Sequence, residues 1–501
     1  MNHNVGINVL QYFKENTEGS IAPLKITVFF MKELITLSLT GIFVMLADMF
    51  NLRKLVFPLV LLGLAMTISW CIFDWNINQG VFGMMKIDNY ALAFLAVMCS
   101  VSLLWLIMSE DYFSKMIVST DRYALVMFAL VGALVMVSYT NLVMLFLGIE
   151  ILSVSMYVLA GSNKTDLSSN ESALKYFLMG AFASGFLLFG IALIYGMSGS
   201  FDLMPIRAAV GKATDANTGL LTVGIIMILI GLGFKIAAAP FHFWAPDVYQ
   251  GAPTPITAFM ATIVKTAAFA ALYRLFVTSF PGATNVWADI IAGMIVLSLL
   301  MGNVIAVLQR DTKRMLAFSS ISHAGYMLFA VLCLNGESDN SILYYTAVYS
   351  IATILAFMIL YIVSEKTGST EIKAFNGLGK KNPNMAAAMT VALLSMGGIP
   401  PLAGFMAKYY IFANAISEGF LGLVIFAILM SLVGVYYYFK IIIAMYFNDE
   451  SHTLEHSHTI TDSTLTPLSI QANPLQNMLI LLCCLLLLVL GIAPQLIYNL
   501  L

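Results

Sequence analysis

The 501-residue sequence has little charge. Asp, Glu, Lys and Arg make up 10% of it, hydrophobic residues make up 60%, and the formal net charge is −2. Charged residues fill roughly a quarter of a soluble domain, so a soluble globular chain is excluded. The near balance of signs offers nucleic acid no basic surface. The five cysteines, Cys71, Cys99, Cys333, Cys483 and Cys484, form no CxxC pair. They lie mostly in apolar runs and read as small buried hydrophobes. Six histidines are too few and too scattered for haem, and three of them, His452, His456 and His458, share one polar loop that reads as solvated. No metal site is expected. There is no Walker A motif and no GxGxxG; Gly231-Leu232-Gly233 is a fragment of an apolar run. No nucleotide or other cofactor site is therefore expected in this chain. Residues 1–24 lack the basic and apolar regions of a cleavable signal peptide.

What remains is apolar length. Mean hydropathy is +0.91. Spans of about 20 apolar residues cross a bilayer core of about 30 Å as helices. Fourteen such segments run over 33–50, 55–74, 90–109, 123–139, 141–161, 173–197, 219–250, 253–280, 285–308, 315–334, 342–364, 384–415, 419–447 and 475–500, the seventh and twelfth interrupted. The expected fold is an all-α polytopic membrane protein of about 14 helices without a soluble domain. Loops after odd-numbered segments hold Arg53, Lys54, Lys115, Arg122, Lys164, Arg310, Lys313, Arg314, Lys366, Lys373, Lys380 and Lys381. The other side holds Lys86, Arg207, Lys212 and Arg274, and the N-terminal tail adds Lys14, Lys25 and Lys32. Positive residues favour the cytoplasmic side, which puts both termini outside.

The chain is organised around residues 231–265, GLGFKIAAAPFHFWAPDVYQGAPTPITAFMATIVK. Pro240, Pro246, Pro253 and Pro255 cannot continue an ordinary helix. Lys235 and Lys265 sit in sequence that is otherwise lipid-soluble, where a lysine is expensive and usually functional. Segment 12 repeats the arrangement, with Gly397, Gly398, Pro400 and Pro401 followed by Lys408. Matching breaks point to an internal repeat and a transport site. If segments 4–8 and 9–13 are the copies, each has five helices, and an odd number inverts the second copy in the membrane. The expected units are 1–120, 121–280 as the first repeat, 281–450 as the second, and 451–501 with the last helix. Backbone groups freed at the breaks must face protein or water, which implies internal water.

Glu150 and His323 lie as deep as the lysines, about 14 Å into their segments. Carboxylate, amine and imidazole groups in an apolar bundle suit a proton relay, because a lysine held away from water can gain and lose a proton near neutral pH. At about 7 Å and an effective dielectric near 20, Glu150 and Lys235 would attract by about 2.4 kcal/mol. The competing readings are a static counter-ion for Glu150 and a core histidine bonding nearby backbone for His323. Lys175 and Lys440 lie near segment ends and can snorkel; with His242, placed to cap the break, they are accessory candidates. Asp247 reads as a brace for the loop, and Tyr436–Tyr438 as packing.

The quoted residues have a family likeness. FKIAAAPFHFWAPDVYQGAPTPITAF is the most specific stretch, supported by LGIEILSVSMYVLAG, NESALKYFLMGAFASG, ATIVKTAAFAALYR, QRDTKRMLAFSSISHAGY and LSMGGIPPLAGFMAKYYIF. The chain resembles the antiporter-like membrane subunits of proton-pumping NADH:quinone oxidoreductase (respiratory complex I) over roughly residues 140–440. The resemblance implies fourteen helices, inverted five-helix repeats, and broken helices 7 and 12. It implies proton transfer through Glu150, Lys235, Lys265 and Lys408, with His323 between the last two. Flavin mononucleotide, iron–sulfur clusters and quinone would lie on partner subunits. The membrane partners would be other membrane subunits of the complex, especially antiporter-like and small ones. Coupling to NADH and quinone would be indirect, and the location a bacterial inner membrane. Lys408 stands where the M type has glutamate, and the chain leaves no residues for the lateral helix of the L type, so the N type is expected. The alternatives are a subunit of a multisubunit cation/proton antiporter and a scaffold with static lysines.

Overall fold

A computed structural model describes residues 31–115, 120–212, 215–448 and 472–501. Lys14, Lys25, the loop of His452, His456 and His458, and the stretch read against a signal peptide lie outside the described residues. The helices follow the predicted segments in order. They are α1 (Lys32–Leu46), α2 (Val56–Phe73), α3 (Asn89–Ser114), α4 (Thr120–Ser138), α5 (Leu142–Ala160) and α6 (Leu167–Ser198). The seventh is broken into α7a (Asp215–Lys235) and α7b (Trp244–Gly251). Then come α8 (Thr254–Ser279), α9 (Thr284–Leu308), α10 (Thr312–Cys333) and α11 (Ser338–Thr367). The twelfth is broken into α12a (Pro383–Gly397) and α12b (Ala403–Ser417), followed by α13 (Leu421–Phe447) and α14 (Pro474–Ile492).

Short polar residues start these helices by binding the amides that the first turn leaves without acceptors. Asp88 caps α3, Asn141 α5, Asp166 α6, Asp311 α10 and Asn382 α12a. Two of the four break prolines lie inside restarted helices. Pro246 is the third residue of α7b and Pro255 the second of α8, positions whose amide needs no intrahelical acceptor. One element departs from an all-helical reading: Gln79–Val81 pairs antiparallel with Met85–Ile87 between α2 and α3, and Gly83 turns the chain at φ +68°.

The repeat is visible in the caps. Asn141 bridges Asp202, and Asp311 bridges Glu371. Leu142 N–H donates to Phe201 O, and Thr312 N–H donates to Thr370 O. Gly199 and Gly368 end α6 and α11, each at φ +69°. Helices α4–α6 therefore correspond to α9–α11 at an offset of about 170 residues. The helix contacts obey the same offset. A Cβ on Gly132 of α4 would come within 2.6 Å of Leu152 N on α5, and one on Gly302 of α9 within 2.6 Å of Ser322 N on α10. Each copy continues through a broken helix, and five helices per copy make the second inverted. Helices α8, α10 and α11 form the buried centre, whereas α2, α13 and α14 turn most of their surface outward.

Candidate functional site

Helix α7a ends on Lys235 because the chain turns there, with Ala237 at φ +55°. The freed groups find protein partners: Ala239 N–H donates to Ser298 Oγ at 2.8 Å and Trp244 Nε1 to Phe234 O at 3.0 Å. Lys235 is 5% exposed. Its Nζ donates to Ser153 Oγ at 2.7 Å and Tyr157 OH at 3.3 Å, both on α5. Glu150, Ser153 and Tyr157 are spaced to share one face of α5. Glu150 is half-buried and accepts from Ser184 Oγ on α6 at 2.5 Å. Its charge acts on Lys235 through space, without an ion pair within 4 Å.

Lys265 is where α8 resumes α-helical bonding, after α-helical Thr254–Phe259 and a wide turn at Met260–Val264 in which bonds run five residues back instead of four. Such turns mark functional places in helices. Lys265 is 1% exposed, and its Nζ donates to Ser320 O at 2.6 Å and to the Ser320 hydroxyl on α10. One turn further along α10 lies His323. Its Nδ1 meets Tyr345 OH of α11 at 2.8 Å and its Nε2 meets Tyr438 OH of α13 at 3.3 Å. Tyr438 also bonds Ser319.

The second break carries the third lysine. Gly398 closes α12a at φ +81°, and Gly397 O accepts from Lys408 Nζ at 2.9 Å. Lys408 also donates to Ser431 Oγ of α13 at 2.7 Å, and its Nζ lies 4.8 Å from the Tyr326 ring centre. Pro400 and Pro401 make the turn into α12b, and a cis bond joins them, as one joins Ala239 to Pro240. A Cβ on Gly404 would come within 1.8 Å of Ser395 O, so only glycine lets the two halves approach. His323, Tyr345, Tyr349, Ser395 and Ala407 line a narrow gap of about 10 Å³ between the histidine and this break. The lysines at 265 and 408 both act electrostatically on His323.

Among the described residues, no carboxylate lies within 4 Å of Lys235, Lys265 or Lys408; hydroxyl and carbonyl oxygens hold all three amines. Such acceptors solvate an ammonium without locking it in an ion pair, whose two buried charges would be costly to separate. None of the three amines would have to break an ion pair to exchange a proton.

The accessory candidates lie apart from the three amines. Lys175 pairs with Glu171 at 2.7 Å and Asp247 at 3.1 Å. Asp247 also receives Arg314 Nη1 at 2.7 Å, so it ties α7b to α6 and α10. Lys440 donates to Val307 O at 2.8 Å, capping the end of α9. His242 is buried inside the first break, stacked on Phe243, and its Nδ1 has no hydrogen-bond partner. Sequence reasoning passed over the oxygens that hold the lysines, Ser153, Tyr157, Ser320 and Ser431. It also passed over Tyr345 and the hydroxyl of Tyr438, which packs and bonds His323 at once.

Residues 139–434 match the family described as NADH:quinone oxidoreductase/Mrp antiporter, TM. NADH-quinone oxidoreductase subunit N of Cytophaga hutchinsonii is 44% identical over 85% of this chain and 92% of its own. A chain of respiratory complex I from Thermus thermophilus is 32% identical with a TM-score of 0.77, covering 93% of this chain and 98% of that one. A chain of the Mrp complex from Dietzia sp. DQ12-45-1b, 20% identical, shares the fold at a TM-score of 0.81 over 95% of this chain and 96% of that one.

Proposed function

The chain belongs to the family of antiporter-like membrane subunits shared by NADH:quinone oxidoreductase and Mrp antiporters, and from that premise we propose that it carries protons across a bacterial inner membrane as the N-type subunit of complex I. The observation that carries this reading is the row of three sealed lysine amines, each held by neutral oxygens and bracketed by Glu150 at one end and the second break at the other. A proton enters near Lys235, is governed by the charge of Glu150, passes Lys265 and His323, and leaves from Lys408. Energy arrives from partner subunits of the complex, and the flavin mononucleotide, iron–sulfur clusters and quinone lie on partner subunits. The excess of Lys and Arg in the odd loops supports inner loops there and both termini outside.

The chemistry needs only proton exchange. Lys235 gives its proton to the Ser153 or Tyr157 oxygen, which passes on its own. The Ser320 hydroxyl plays the same part for Lys265. His323 can accept at one nitrogen while donating from the other, which suits it to lie between two tyrosine hydroxyls. Glu150 promotes protonation of Lys235 when its charge is free and permits release when a partner draws that charge away.

NADH oxidation and proton uptake in inverted membrane vesicles test this with Lys235→Ala. Both should fall while the assembled complex remains. Unchanged NADH-driven pumping together with lost sodium–proton exchange would instead identify a cation/proton antiporter subunit, the reading that the Mrp side of the family supports.

A further inference from the structure

Helix α10 carries another sealed lysine, which the relay above leaves unused. Lys313 is the second residue of α10, yet it is only 5% exposed. Its Nζ donates to the Ala252 carbonyl at the end of α7b, at 2.6 Å. Asp311 and Asp166 act on it electrostatically, but among the described residues neither forms an ion pair with it. An ammonium has three N–H donors, and burying one with a single acceptor is unfavourable. Lys440 also binds carbonyls at a helix end, but it is half-exposed, so water can serve its remaining donors.

Lys313 lies between a wet surface and Lys265. On its outer side, the adjacent Arg314 and Asp247 form an ion pair, 32% and 39% exposed. On its inner side, Ser320 follows seven residues later on the same face of α10, about 10 Å away. Ser320 holds Lys265. Helix α7b packs against α10, and Tyr249, one turn before Ala252, is buried close enough to Ser320 to feel its side chain.

We propose that Lys313 passes protons from the inner surface to Lys265, taking them at the Asp247–Arg314 mouth and handing them on through Tyr249 and Ser320. The proposal rests on the relay reading above. In the step, the Lys313 ammonium gives up one proton. Each hydroxyl on the way accepts a proton on a lone pair and releases its own, and the neutral Lys265 amine ends protonated.

The test compares Lys313→Arg, Lys313→Gln and Lys235→Ala in vesicles, with pumping expressed per assembled complex. Arginine keeps a charge and a donor for the Ala252 carbonyl but does not release its proton. Both Lys313 variants should assemble to wild-type content and lose pumping by about tenfold or more. Pumping by Lys313→Arg within about twofold of wild type would make Lys313 a cap on α7b and overturn the inference, as would failure of both variants to assemble. If Lys235→Ala pumps normally, the relay reading itself has failed and takes this inference with it. Loss in Lys235→Ala with normal pumping in Lys313→Arg removes only the role of Lys313.

Discussion

Ser320 stands in α10 where Glu150 stands in α5, each nine residues past the capping residue of its helix, Asp311 or Asn141. One turn on, His323 corresponds to Ser153 in the same way. The two copies thus use the same two rungs to face a lysine, but only the first copy puts a carboxylate there. Lys265 meets a hydroxyl and a carbonyl at the place where its counterpart repeat carries acid.

That difference makes Ser320→Asp informative. A carboxylate about 4 Å from the Lys265 amine would attract it by about 4 kcal/mol at an effective dielectric of 20. The ammonium would be held against release, and pumping should fall by about a hundredfold or more with the complex intact. Ser320→Ala, which leaves the carbonyl acceptor, should lose much less. Proton uptake by inverted vesicles of both variants checks the order.

At Lys235 the acceptors are side chains. Ser153→Ala removes the 2.7 Å partner and leaves only Tyr157 at 3.3 Å. A hydrogen bond to a charged group contributes about 1.5–3 kcal/mol, so pumping should drop roughly tenfold. Tyr157→Phe, which removes the longer bond, should cost less. Initial rates measured side by side would contradict this ranking if the tyrosine variant were the slower.

The tyrosine run on α13 contains its own control. Tyr438 is buried and bonds both His323 and Ser319, whereas Tyr436 is 60% exposed. Tyr438→Phe should slow NADH-driven pumping by about tenfold, the scale of a lost proton-transfer partner. Tyr436→Phe should be silent. Equal effects of the two would show that bulk on α13, not the hydroxyl, is what matters.

Gly404→Ala tests the second break as a packed object. The new Cβ would lie 1.8 Å from Ser395 O, a contact that the backbone must move to relieve. Overpacking of this kind costs about 1–3 kcal/mol or more, so assembled complex should decrease. Gly293→Ala, which meets nothing within 4 Å, should assemble normally. Complex content on native gels reads out both.

Much of this architecture can be read from residue pattern. Deep lysines are legible because each contradicts its apolar surroundings, and the breaks because proline and glycine interrupt long helical runs. The partners of those lysines are not legible. Serine and tyrosine are ordinary residues in buried helices, and nothing local distinguishes Ser153 or Ser320 from Ser102, which merely bonds its own helix. Tyr436–Tyr438 reads as packing because a hydroxyl's partner on another helix leaves no trace in sequence. The wide turn before Lys265 has no breaker residue to announce it. The correspondence of the copies is hidden for a further reason: Glu150 and Ser320, or Ser153 and His323, share a place without sharing a chemistry.

Main-chain acceptors also divide the proposed relay by how freely it can vary. The Lys265 amine rests on Ser320 O and the Lys408 amine on Gly397 O, atoms present whatever the side chain. Only the Lys235 amine hangs entirely on replaceable side chains, Ser153 and Tyr157. Point mutation can therefore retune the first of the three lysines while the geometry of the other two is inherited with the helix paths. Drift among homologues in proton affinity should accumulate at the Glu150 end of the row, leaving the Lys408 end comparatively invariant in behaviour.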